Sequence, residues 1–206
     1  MRWIRSSLAT ALPLLTLLTL LPLAASAHVG ADGASAHQHV GFLQGLAHPF
    51  TGLDHLAAMV GVGLWSASAA RSGRDALWAP LGFAAMLLAG ALAGLAGLGV
   101  PAIEPMIAAS LLVIGLLAAA RLRLPGPVAA ALVGAFAVFH GAAHGIELAG
   151  DGNAAPALAG MVLATALLHA AGLGLGWILR RHGAWLPRAV GAAVALFGAT
   201  LLAQLA

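Results

Sequence analysis

From residue 43 onward the chain is a succession of six apolar runs, each about as long as a bilayer is thick, separated by short polar punctuation. A helix needs about 20 predominantly apolar residues to cross the hydrocarbon core. The runs fall at 43–69, 76–98, 103–120, 127–149, 155–179 and 186–205, and they predict an all-α integral membrane protein with six transmembrane helices. Composition agrees, with 62% hydrophobic and 7% charged residues and a mean hydropathy of +1.00, where a soluble domain carries about 25% charged residues. The connections are "RSGRD" (71–75), "GLGVP" (97–101), "RLRLPGP" (121–127), "AGDGN" (149–153) and "RRHGAWLPR" (180–188). All are short, so neighbouring helices are expected to pack antiparallel.

The first 27 residues read as a cleavable signal peptide: Arg2 and Arg5, an apolar stretch from Leu8 to Leu23, and "ASA" at 25–27 as the cleavage site. Residues 28–42 then form an exposed segment bearing His28, His37 and His39, and 43–206 a single six-helix domain. Arginine occurs in the first, third and fifth connections and in neither of the others. By the positive-inside rule those three face the cytoplasm, which puts both mature termini outside. Trp65, Trp78, Trp177 and Trp185 flank the same connections, where their rings are expected to mark the cytoplasmic interface. The location implied is the bacterial cytoplasmic membrane.

Several chemistries are excluded. Without cysteine there is no disulfide, thiolate metal site or iron–sulfur cluster. All nine basic residues are arginine, so there is no lysine for a Walker A loop or a pyridoxal Schiff base. The net charge of +3 comes from scattered arginines and forms no basic stripe of the kind nucleic acid requires.

What remains is a set of ionisable groups at membrane depth. "HPFTGLDH" opens the first run with His48, Asp54 and His55. The two histidines, seven residues apart, share a face of a regular helix, with Asp54 about 120° from His48. Pro49 and Gly52 invite a bend that changes this. "FHGAAHGIE" closes the fourth run, and His140, His144 and Glu147 lie within about 60° of one another around the helix. With the topology above, both motifs occupy the outer half of the membrane. Glu104 begins the third run near the same surface, and His169 lies about 20 Å from the outer end of the fifth, near the midplane. A carboxylate in the bilayer costs at least about 2.5 kcal/mol without compensation. The first five runs hold no arginine to supply it, which leaves histidinium, a proton or a metal cation. Imidazole and carboxylate without thiolate suit borderline divalent ions such as Ni2+, Co2+, Zn2+ or Mn2+. His182, Asp75 and Asp151 lie in connections and read as solvated.

The two motifs, "HPFTGLDHLAAMVGVGLW" (48–65) and "FHGAAHGIE" (139–147), resemble the HupE/UreJ family of nickel permeases associated with hydrogenase and urease maturation, over essentially the whole mature chain. The resemblance implies secondary, ATP-independent uptake of Ni2+, or of Co2+ or another divalent metal, with the ion as cargo and no resident cofactor. Carried over by position, His48, Asp54, His55, His140, His144 and Glu147 are the candidate metal ligands. His169, Glu104, His28, His37 and His39 are additional candidates along the route. The first and fourth helices each open a group of three and run in opposite senses, which suggests an inverted three-plus-three repeat. Two readings of other classes use the same donors: an intramembrane zinc hydrolase and a metal-binding sensor that does not transport.

Overall fold

The computed structural model describes residues 41–150 and 154–206. The expected signal peptide, together with His28, His37 and His39, lies outside the described residues. Those described form helices α1 (Phe42–Thr51), α2 (Leu53–Ala69), α3 (Trp78–Leu95), α4 (Ile103–Ala120), α5 (Gly126–Leu148), α6 (Ala155–His182) and α7 (Trp185–Gln204), with a 3-10 turn at Asp75–Leu77 ahead of α3. Five helical segments, α4 to α7 and Asp75–Leu95, are long and apolar enough to cross a membrane. Their outward faces carry exposed Leu81, Leu92, Leu116, Leu167 and Leu196, side chains that lipid accommodates and water does not. The chain is an all-α membrane protein.

The expected first span departs from a continuous helix. It breaks at Gly52, whose φ of −87° and ψ of 111° are extended, and yields a 10-residue α1 and a 17-residue α2. The cause is local. Pro49, inside α1, has no N–H to continue the ladder and its ring crowds the preceding turn. The Thr51 hydroxyl caps the loosened end by donating to the His48 carbonyl at 2.8 Å. The Gly52 carbonyl then accepts the Leu56 N–H at 2.9 Å and starts α2.

Packing is governed by small residues. α3 lies against α5, α4 against α7, and α1 and α2 together against α6. Along the α3–α5 seam a Cβ on Gly90 would overlap the Val138 carbonyl, one on Gly141 the Leu87 carbonyl, and one on Gly145 the Ala91 carbonyl. The backbones therefore touch, as close helix packing in lipid favours. Met59, Val62, Trp65, Phe83, Leu87, Ile114 and Val133 fill the centre.

The arginine-bearing connections gather at one end of the bundle. Arg121 Nη2 donates to the Ser68 carbonyl at 3.2 Å and Arg180 Nη1 to the Ala67 carbonyl at 3.0 Å, both at the end of α2 from which residues 71–75 depart. Trp78, Trp177 and Trp185 are exposed there. Trp65 is not. It is 2% exposed and donates its Nε1–H to the Leu122 carbonyl at 2.9 Å, because a ring one turn inside α2 meets the third connection before it meets lipid. Trp65→Phe, which leaves that carbonyl without its donor and opens a space where the second indole ring packed, is expected to cost at least about 1–3 kcal/mol in thermal unfolding.

Candidate metal-binding site

The break in the first span aims its polar groups. His48 occupies the last turn of α1 and His55 the first turn of α2, so the kink between them sets the angle at which two imidazoles face α5. From α5, His140, His144 and Glu147 present one stripe, as their spacing requires. The structure brings both sets together. His48 Nε2 is 3.4 Å from Glu147 Oε2, and His144 Nδ1 is 3.7 Å from the same oxygen. One ligand atom each from His48, His144 and Glu147 lie within 4.8 Å of one another. The His144 ring stands 4.9 Å from that of His48 and 4.5 Å from that of His55, and His55 is 4.9 Å from His140. His48 and Glu147 are partly exposed, whereas His140 and His144 are buried. The cluster thus grades from a wet rim to a dry floor.

Asp54 engages its neighbour His55. Its Oδ1 accepts the His55 backbone N–H at 2.8 Å and stands 3.0 Å from His55 Nδ1. The first turn of α2, where unpaired N–H groups carry partial positive charge, also favours the carboxylate there. With Nδ1 engaged by Asp54, His55 offers Nε2 to the cluster. A carboxylate that orients a histidine through its other nitrogen is a common arrangement behind metal ligands.

The floor of the cluster is underbonded. His55 Nε2, His140 Nδ1 and both ring nitrogens of His144 are buried without a hydrogen-bond partner, as is His169 Nε2 beyond the cluster. Each such group costs about 1–3 kcal/mol. A cation would use several of these lone pairs at once.

Two further sequence candidates stand apart. Glu104 is half-buried in the first turn of α4, and among the described residues no hydrogen bond or ion pair links it to the cluster. His169 is buried in α6, and Phe83 bridges it to the cluster, its ring 5.2 Å from His169 and 5.5 Å from His140. Sequence reasoning passed over Phe83, one aromatic in an apolar run. It also passed over Ser110, whose Oγ is 2.9 Å from His140 Nε2. The only signal for Ser110 was that it is the one hydroxyl in the stretch 105–120. A cavity of about 350 Å³ at the arginine end, lined by Arg71, Trp177, Arg180 and Arg181 among others, contains none of these candidates. An ion held by side-chain donors needs no such volume.

The family described as HupE / UreJ protein matches residues 15–201. The chain belongs to the HupE/UreJ family. A HupE protein of Rhizobium leguminosarum bv. viciae is 43% identical over 186 residues, covering 88% of this chain and 92% of the relative. No solved structure matches the chain. Membership in HupE/UreJ places it among membrane proteins of metal transport. The matched segment contains every residue of the cluster described above.

Proposed function

We propose that this HupE/UreJ chain is a secondary permease that takes up a divalent transition-metal ion, Ni2+ first and Co2+ next, through the cluster formed by α1, α2 and α5. The observation that carries the reading is the approach of His48, His144 and Glu147 ligand atoms to within 4.8 Å of one another. Nitrogen and carboxylate donors without sulfur suit Ni2+ and Co2+. In this reading α1 and α2 form one broken span, the sixth of the bundle. The arginine end faces the cytoplasm and the cluster lies in the outer half of a bacterial inner membrane, below a mature N-terminus freed by signal cleavage. Discontinuous helices of this kind hold ions in many transporters.

The ion sheds water at the partly exposed His48 and Glu147, passes to His144, and reaches the half-buried His55 and the buried His140, with His169 as the next imidazole inward. Inward movement of a double charge gains about 4.6 kcal/mol per 100 mV, from about 2.3 per charge, so no nucleotide is needed. An inverted repeat also fits the packing. Exchanging the first three spans with the last three turns the pairing of α1 and α2 with α6 into that of α5 with α3, and returns α4 with α7 to itself.

Radiotracer Ni2+ uptake into proteoliposomes tests the proposal. Saturable flux lost in His55→Ala supports it, whereas tight binding with no flux indicates a sensor and sinks it. Asp54→Asn removes the carboxylate that orients His55 while keeping its shape. It is expected to lower apparent Ni2+ affinity about 10–100-fold in the same assay, with the protein still folded.

A further inference from the structure

We infer that Ser110, on α4, is a positioning residue for the ion site: it holds His140 in the tautomer protonated at Nε2, so that Nδ1 carries the lone pair offered to the metal. The inference rests on the permease reading for its purpose, though its geometry stands apart from it. Ser110 is fully buried, and its Oγ has two partners, the Ile107 carbonyl at 2.6 Å and His140 Nε2 at 2.9 Å. A hydroxyl has one proton to give and can accept through its lone pairs. A carbonyl oxygen only accepts, so the short contact to Ile107 takes the hydroxyl proton. Were that proton aimed at His140 instead, two oxygens would face each other at 2.6 Å with no hydrogen between them. His140 Nε2 is therefore the donor to Ser110, and in a neutral imidazole the other nitrogen is then bare.

That other nitrogen, His140 Nδ1, is buried and has no hydrogen-bond partner. As an N–H it would be an orphaned donor; as a lone pair it is a ligand awaiting a cation. The ring cannot readily turn to exchange its nitrogens, because Phe83 packs 5.5 Å away on one side and His55 4.9 Å away on another. The α4 hydroxyl thus does for His140 what Asp54 does for His55, through opposite ring nitrogens. One imidazole presents Nδ1 and the other Nε2. The arrangement also couples α4, which supplies none of the candidate ligands in the cluster, to the ion site.

The test is 15N NMR of histidine-labelled, metal-free full-length protein, with the His140 signals identified by their loss in His140→Gln. The expected spectrum shows His140 as a single neutral tautomer with a protonated Nε2. In Ser110→Ala the tautomers mix, and Ni2+ affinity measured by equilibrium dialysis falls about 10–100-fold. Merely filling space would leave the tautomer alone. A wild-type His140 protonated at Nδ1 overturns the inference, as does Ser110→Ala with unchanged tautomer and affinity. The wild-type spectrum decides the tautomer even if Ser110→Ala fails to accumulate. Wild-type protein that takes up no Ni2+ overturns the permease reading alone, since the spectrum needs no metal.

Discussion

His144→Leu is expected to abolish Ni2+ uptake while leaving the folded protein as stable as wild type or more so. His144 is the centre of the cluster: it stands 3.7 Å from Glu147 Oε2 and within 4.9 Å, ring to ring, of both His48 and His55. Partners that merely orient a ligand are worth about 10–100-fold in affinity or activity, and loss of a shared ligand should cost at least the upper end of that range. Stability should move the other way. Both ring nitrogens of His144 are buried without hydrogen-bond partners, a penalty of about 1–3 kcal/mol for each unsatisfied group that leucine of similar volume does not carry. Uptake and thermal unfolding of the purified variant measure the two effects side by side. A large loss of stability would instead mark His144 as a structural residue.

The second large effect lies at the helix seam. Gly141→Ala places a Cβ against the Leu87 carbonyl, and neither partner of that contact is a flexible side chain that can step aside. Overpacking costs about 1–3 kcal/mol and sometimes more. Separating α3 from α5 would also displace His140, the next residue, so both folded yield and Ni2+ affinity should fall. Gly174→Ala on α6 is the control. A Cβ there meets nothing within 4 Å, and alanine in an open helical position stabilises by about 0.5–1 kcal/mol. Thermal unfolding of the two variants should therefore shift in opposite directions.

The limits of reading this chain from its sequence follow from which forces act locally. Lipid thickness fixes span length, so the run at 103–120 returns as Ile103–Ala120 and the run at 127–149 as Gly126–Leu148. The stripe of His140, His144 and Glu147 follows from helix periodicity in the same way. The break at Gly52 was half-legible, since Pro49 and Gly52 announce a bend but not its direction, and the direction decides how His48 on α1 and His55 on α2 are angled toward α5. Contacts between elements distant in the chain left no local trace. Ser110 and His140 are 30 residues apart, and nothing in either run marks the pairing. Trp65 failed for the same reason, since the Leu122 carbonyl 57 residues away captures its N–H.

The central claim is that a divalent ion crosses this bundle through the cluster formed by α1, α2 and α5. The most direct test clamps proteoliposomes at an inside-negative potassium diffusion potential and follows Ni2+ entry through wild type and the double variant His48→Ala, Glu147→Gln. Wild-type entry that saturates with Ni2+ and accelerates with the potential, and is absent in the folded double variant, is the predicted result. Equal potential-driven entry through both proteins would contradict the account.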